Sequence, residues 1–318
     1  GETKPKKVFV GMSGGVDSSV SAALLKEQGY DVTGIFIKVW QPEFLDCTWI
    51  DDRRDAMRVA AHLDIPFMTM DLEEEYKSRV VDYMIAEYKA GRTPNPDVMC
   101  NKQIKFGVFM NKALSMGADF VATGHYALIE DGKLMAGVDR EKDQSYFLWT
   151  LPKEKLSQVI FPVGGYEKKE VRKLAERFGL ITATKKDSQG LCFLGKLDMK
   201  DFLKNFISPI EGNVLNEQDE VIGKHEGAFY YTIGQRHGFT ITKKGVEDKP
   251  VFVISKNIEN NTITVSENPK GEHSVNKIYL QNTNWIDEPK ENEPLQARAR
   301  YRQTLKDCVI GKDLNGYF

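Results

Sequence analysis

Along the first half of the chain, short apolar runs alternate with amphipathic stretches of helical period. Lys7–Met12 is a compact apolar run and predicts a buried strand. Val16–Gln28 carries Val16, Val20, Ala23 and Leu24 on one stripe, with Gly29 as a stop, and predicts a helix. Asp31–Trp40 predicts the next strand, Asp51–Asp64 a helix with Ala56, Val59, Ala60 and Leu63 facing inward, and Pro66–Met70 a third strand. Helices are expected over Glu73–Ala90 and Cys100–Met116, ahead of a fourth strand at Phe120–Ala122. Strands alternating with helices of this length call for an α/β fold with a doubly wound parallel sheet. Tyr126–Val138 then predicts a hairpin turning at Asp131-Gly132, and Lys153–Val159 and Lys168–Phe178 predict helices.

From Ile210 onward the pattern changes. Ala228–Ile233, Val251–Ser255, Thr262–Ser266 and Ala297–Gln303 are short β-rich runs separated by Gly, Asn and Pro turns. Boundaries are expected near 207 and 272, giving an α/β domain over 1–207, a small β-rich domain over 208–272 and a third module over 273–318.

At 318 residues, 41% of them hydrophobic and 28% charged, the composition is that of a folded globular protein large enough for more than one core. No apolar run is long enough for a signal segment or a membrane span, so a cytoplasmic protein without a membrane partner is expected. Cys47, Cys100, Cys192 and Cys308 are widely spaced, which suggests neither a disulfide framework nor a zinc knuckle. The net charge of −2 hides an asymmetry: residues 43–75 hold ten acidic residues against three arginines, whereas 165–205 hold ten Lys or Arg against six acids. Arg298, Arg300 and Arg302 alternate along the last β-rich run, an arrangement that would put three guanidinium groups on one strand face. Such a face either tracks phosphates or is simply solvated.

Between the first strand and the first helix lies Gly11-Met12-Ser13-Gly14-Gly15-Val16-Asp17-Ser18-Ser19. Glycines let backbone amides approach an anion closely, and the hydroxyls add donors at a helix N-terminus that already favours negative charge. No lysine follows the glycines, so a Walker loop is not indicated. The loop resembles instead the Ser-Gly-Gly-x-Asp-Ser loop of the ATP pyrophosphatase family, which grips pyrophosphate while ATP adenylates a substrate oxygen. By that resemblance ATP is the nucleotide, and Asp17 is expected to help hold Mg²⁺. Thr123-Gly124-His125 follows the fourth strand, at the carboxyl end where ligands bind in open α/β sheets. Gly124 is expected to let the backbone meet the nucleotide, and His125 is read first as a structural histidine.

Gly91-Arg92-Thr93-Pro94-Asn95-Pro96-Asp97-Val98-Met99-Cys100 is dense in turn formers and ends where an apolar helix begins. Asp97 is expected near the N-cap and Cys100 in the first turn, where the helix dipole would favour a thiolate. A buried, inert cysteine fits the spacing equally well. Cys192 lies in the polar stretch Lys185–Gly195, whose two lysines would favour an anionic sulfur; the stretch reads either as a moving sulfur carrier or as a loop anchored by Leu191 and Phe193.

Seven segments, in order, resemble the tRNA-specific 2-thiouridylase family: Gly11–Ser19, Gly91–Phe106, Ala122–Tyr126, Lys142–Leu148, Lys185–Phe193, Tyr231–His237 and Arg300–Gln303. The resemblance implies an adenine nucleotide alpha hydrolase-like pyrophosphatase domain, a small central domain and a C-terminal β-barrel. It implies ATP-dependent 2-thiolation of the wobble uridine of tRNA, with adenylation of the base carbonyl oxygen and sulfur drawn from a cysteine persulfide. Cys100 and Cys192 would be the sulfur-handling cysteines and Asp97 the general acid/base. Gly11, Met12, Ser13, Gly14, Gly15, Val16, Asp17, Ser18, Ile37 and Gly124 would line the ATP site. Asn95, Pro96 and Asp97 would meet the target base, and Lys142, Asp143, Gln144, Arg300 and Tyr301 would contact tRNA near the anticodon. A persulfide sulfur-relay protein is the implied second partner. Relatives commonly carry Met where this chain has Ile37, an apolar exchange suited to packing on adenine. They also continue through further strands, so the barrel is expected to be cut short at Phe318.

Overall fold

The computed structural model describes residues 4–45, 49–187, 198–242, 249–268 and 277–318. Two compact units emerge from the packing: Gly1–Val80 with Asp97–Gly195 and Tyr279–Phe318, and Val81–Pro96 with Lys196–Ile278. Neither unit is contiguous in sequence, which the change of residue pattern near 207 does not reveal.

The first unit is built on a parallel sheet of β1 (Lys7–Gly11), β2 (Asp31–Lys38), β3 (Phe67–Asp71), β4 (Phe120–Ala122) and β7 (Val159–Ile160). Its spatial order is β3-β2-β1-β4-β7, so the chain winds outward from β1 to β3 and then crosses back to β4 beside β1. The carboxyl ends of β1 and β4 therefore flank the switch in winding, where an α/β sheet opens a crevice. Val8, Phe9 and Val10 are all buried, as a central strand covered on both faces requires. α1 (Val16–Glu27) and α3 (Lys168–Arg177) share one core with β1: Val20 and Leu24 of the first join Val171 and Ala175 of the second, an i,i+4 pair. α2 (Trp49–His62) adds Ala56 and Val59 to the same core.

Two predicted helices are more irregular than their apolar spacing suggests. The first splits into Glu73–Tyr76, a π-helical Lys77–Val81 and Asp82–Lys89. In the second, Pro96–Met99 leads into a π-helical Cys100–Phe109 and then Met110–Ser115. The hairpin is β5 (Ala127–Glu130) and β6 (Lys133–Ala136); Asp131 and Gly132 have φ of 50° and 71°, the pair of positive values a two-residue turn needs.

In the second unit, β8 (Gly212–Leu215), β9 (Val221–His225), β10 (Thr240–Ile241), β11 (Phe252–Asn257) and β12 (Thr262–Ser266) form a sheet of order β10-β9-β8-β12-β11. All its pairings are antiparallel except β8 with β12. Ala228–Tyr230 is a 3₁₀ turn and not the predicted strand. Ala228, Phe229, Tyr230 and Tyr231 are all buried, which a strand with alternating faces could not achieve at the edge of so small a sheet.

The last described residues, packed in the first unit, form the pairs β13 (Pro294–Ala297) with β14 (Lys306–Val309) and β15 (Lys312–Asp313) with β16 (Gly316–Tyr317). The arginine stripe does not form. The strand stops at Ala297, Gln303 Oε1 accepts the amides of Ala299 and Arg300, and Arg302 takes φ of 61°. A tight turn thus replaces the strand, and Arg298 turns inward to a buried carboxylate while Arg300 and Arg302 stay exposed.

Candidate active site

The glycine loop leaves β1 at the winding switch. Met12 is buried and its amide donates to Ile35 O of β2 at 2.7 Å, which pins the loop's start to the neighbouring strand. Ser18 Oγ accepts from the Ser13 amide at 3.1 Å and lies 3.3 Å from Ser13 Oγ, so the loop is closed by its own hydroxyls. Gly14 has φ of 81° and lies against the backbone of Asp52, a position where a side chain is excluded on both counts. α1 starts at Val16 with no side-chain cap, leaving its first-turn amides for an anion. This cradle fits a phosphate. Ile37 is buried on β2, paired in register with Met70 of β3.

Gly124 lies against the first turn of α1. A Cβ there would sit 2.7 Å from Ser18 N and 2.8 Å from Asp17 C, so the missing side chain lets the exit of β4 press on the first turn of α1. Gly124→Ala is expected to push Asp17 and Ser18 out of place and weaken ATP binding by about tenfold. An ATP titration of the folded variant checks this.

Asp17 is the centre of a charge network. Its carboxylate accepts two bonds from Lys168 Nζ, at 2.7 and 2.8 Å, and one from Tyr126 OH at 2.7 Å. Lys168 also pairs with Asp187 at 2.8 Å, and Asp187 accepts from Lys142 and Arg172, each at 2.8 Å. Burial alone would raise the Asp187 carboxyl, but the bonds from Lys142 and Lys168 outweigh it and hold its pKa down to about 2. Burial and the neighbouring Asp17 charge push the Tyr126 hydroxyl far up, so it stays a donor. No group of three or more His, Cys, Asp or Glu among the described residues could hold a metal. A Mg²⁺ on Asp17 would therefore take its other ligands from phosphates and water, the usual arrangement for this ion. Lys168 was not singled out by the sequence; its only signal is that it opens an amphipathic helix in the basic stretch.

His125 is buried between Phe106 and Phe161, with Nδ1 2.6 Å from Thr123 Oγ1 and Nε2 3.5 Å from Lys105 Nζ. Burial, then the Lys105 charge, holds its pKa well below the ordinary histidine value, so it is neutral and structural in character.

The helix bearing Cys100 starts earlier than its spacing predicts. Pro96 occupies the first helical position, where its missing N–H costs nothing. Asp97 is then in the first turn, and Cys100 lies beyond it at the start of the π segment, fully buried. Direct help from unsatisfied first-turn amides is correspondingly smaller. Cys192 and Cys47 lie outside the described residues, as does the expected meeting of Cys100 with Cys192. The approach to Cys192 is described as far as Asp187. Lys185 is committed to Asp52 and Asp55 of α2, at 2.9 and 2.7 Å, and so is not a free cation for a sulfur anion. Arg172 holds the carbonyls of Ala183 and Lys185.

Two of the resembling segments, far apart in sequence, come together in the first unit. Asp143 is buried and accepts the amides of Gly137 and Ser145, the Ser145 hydroxyl and, at 2.9 Å, the Arg298 guanidinium. Burial would raise this carboxyl, yet those amides and the arginine hold it below the ordinary range. Gln144 exchanges bonds with the Tyr126 backbone, and Lys142 is paired with Asp187. The Tyr301 ring lies 4.6 Å from that of Phe147, and Tyr146 OH donates to Ala299 O. Asp143 thus faces inward and positions the 298–303 turn, while Arg300 remains exposed. Asn95 and Pro96 are half-buried and belong to the second unit.

Arg298→Ala is expected to cost about 2 kcal/mol at neutral pH by leaving a buried carboxylate short of its cation. Asp143 titrates below its unfolded value, so its contribution is present above that value and fades as the pH falls through the lowered one. Urea midpoints of the variant and unaltered chain should stay apart down to the ordinary aspartate value of about 3.9 and draw together only below it.

A glycine loop at the winding switch of a parallel sheet, ahead of an uncapped helix N-terminus, defines an α/β protein with an anion-binding crevice. The family model described as the tRNA methyl transferase HUP domain matches residues 6–196, and that described as the tRNA methyl transferase PRC-barrel domain matches 200–267. The tRNA-specific 2-thiouridylase of Christiangramia forsetii is 44% identical, over 98% of this chain and 92% of its own length. Those of Enterococcus faecalis and Halalkalibacterium halodurans are 48% and 49% identical, over 93% and 96% of this chain and 82% and 83% of theirs. The chain belongs to the tRNA-specific 2-thiouridylase family. Among its described residues no helix is long and apolar enough to cross a membrane.

Proposed function

We propose that this chain is an ATP-dependent tRNA-uridine 2-sulfurtransferase acting in the cytoplasm on the wobble uridine of the anticodon. The observation that carries this reading is the bond from Lys168 to both Asp17 and Asp187. It fastens the root of the Cys192 segment to the nucleotide loop, and five residues of chain can span no more than about 17 Å. Cys192 follows that anchor by five residues in the sequence, which supports its reading as the sulfur carrier.

The loop Gly11–Ser18 and the Gly124 contact hold the triphosphate, and Asp17 is the carboxylate that would share Mg²⁺ with it. Mg²⁺ supplies charge neutralisation of the phosphates. The uridine oxygen at ring position 2 is a poor leaving group; as an AMP ester it departs when sulfur attacks. The terminal sulfur of a Cys192 persulfide forms the new C–S bond as AMP leaves. The Cys100 thiolate then attacks the Cys192 sulfur, releasing 2-thiouridine and leaving a Cys100–Cys192 disulfide for an external reductant. Asp97, beside Cys100 on the same helix, is placed by sequence to move the proton. Asn95 and Pro96 would meet the extruded base. Lys142, Gln144, Arg300 and Tyr301 would contact the anticodon arm, Asp143 acting through Arg298. A persulfide relay protein would reload Cys192.

Incubation with unmodified tRNA, ATP, Mg²⁺ and a persulfide donor should yield 2-thiouridine by nucleoside mass analysis. Pyrophosphate release with no thiolated nucleoside would overturn the assignment.

A further inference from the structure

Outside the nucleotide site, the first unit contains a recess of about 460 Å³ between the two π-helical segments and the 149–155 and 282–284 stretches. Arg79, Lys102 and Lys155 line it, and among the described residues no Asp or Glu does. This is a concentration of positive charge on a chain whose formal net charge is −2. Neither Arg79 nor Lys102 is paired with a carboxylate among the described residues, whereas most cations around the nucleotide loop are. Lys155 gives one N–H to Phe106 O at 2.6 Å and keeps two for another acceptor.

Two further features point to a ligand. Thr150 is 8% exposed and lines the recess, yet its buried hydroxyl has no hydrogen-bond partner among the described residues. A buried hydroxyl left unmatched costs free energy that a bound acceptor or donor would recover. Trp149, on the same wall, is 45% exposed, a large aromatic surface left in water beside three cations. Its backbone is not loose, since Asn284 Nδ2 donates to the carbonyls of Trp149 and Leu151 at 2.8 and 2.9 Å. The π turns shape the cleft: the widened backbone brings Lys102 O to 2.8 Å from where a Cβ on Gly107 would lie, so only glycine fits that wall.

We propose that this recess is a second RNA-contact site, taking a phosphate on Arg79, Lys102 and Lys155 and an unpaired base of the same strand against Trp149. The combination of phosphate-reaching cations and an exposed aromatic is what single-stranded RNA requires, and it needs no sequence readout. The inference rests on tRNA being the substrate. It adds a contact away from the reacting base, where binding energy orients the anticodon arm.

The test uses the full chain. The Arg79→Ala/Lys102→Ala variant should bind unmodified tRNA about tenfold more weakly, and its plot of log affinity against log salt should be shallower by up to about 1, as expected when one phosphate is no longer neutralised. ATP binding should be unchanged. tRNA should quench tryptophan fluorescence in the unaltered chain, and Trp149→Phe should remove that part of the signal. Wild-type affinity and salt slope in the double variant, beside normal tRNA binding by the unaltered chain, would overturn the recess as an RNA site alone. No tRNA binding by the unaltered chain would overturn it together with the proposed function. Titration with AMP and with inorganic phosphate separates the sources: Trp149 quenching that saturates with AMP and is not displaced by tRNA would assign the recess to a free nucleotide and end the RNA reading.

Discussion

Cys192→Ser should abolish thiolation, by at least about 10³-fold, while ATP binding, pyrophosphate release and tRNA binding persist. Serine keeps the size of the side chain and its hydrogen-bonding capacity but cannot carry a sulfane sulfur. The adenylated uridine then has no attacking partner and returns to uridine by hydrolysis. Incubation of the protein with a radiolabelled persulfide donor reads the loading step directly. Label attached to the variant at the wild-type level would remove Cys192 from the role of carrier. Cys100→Ser differs in kind: it should still load label on Cys192 and fail at the release step, leaving tRNA joined to protein through a disulfide link that reductant breaks. The two variants thus separate donor from resolving thiol, which their positions alone do not, since Cys100 is fully buried and Cys192 lies outside the described residues.

The second large effect is expected at Asp17. Asp17→Ala removes the acceptor of Lys168 and Tyr126 together with the only carboxylate in the first turn of α1. Pyrophosphate release should fall by about 10²–10³-fold, the range seen when one preorganised electrostatic group is lost. Stability should change by only about 1 kcal/mol or less, because the carboxylate is 31% exposed and Lys168 keeps Asp187 as a partner. The predicted signature is a folded protein with a wild-type thermal midpoint that does not release pyrophosphate. A folded variant with wild-type release would remove Asp17 from phosphate and metal chemistry. A variant that fails to fold would assign it to holding α1 and α3 together through Lys168.

What was legible in the sequence is local. The strand–glycine loop–helix at residues 7–27 can be read without coordinates, because apolar period and turn chemistry act over a few residues. The same holds for the Asp131-Gly132 turn, where two positive φ values demand those residue types. The order of resembling segments carried the family, and with it the expectation for Cys100, Cys192 and the ATP loop. Fine structure failed where local spacing is degenerate. A π turn shifts a helix by one residue and leaves the apolar stripe nearly intact, so Lys77–Val81 and Cys100–Phe109 read as ordinary helix. The Arg298–Arg302 stripe read as a strand because alternation is all a sequence offers. A buried carboxylate 155 positions away decided otherwise.

Tertiary structure alone decided which charges meet. Lys168 lies 151 positions from Asp17 and 19 from Asp187, and nothing in the spacing announces that one ammonium serves both. The winding of the sheet sets β1 beside β4 and lays α3 across α1, and only then do the three side chains share one place. The need for glycine at 124 arises in the same way, from the backbone of α1 pressing on it. Local backbone preference is written residue by residue, whereas an ion pair between distant segments exists only once the topology has brought them within a few ångströms.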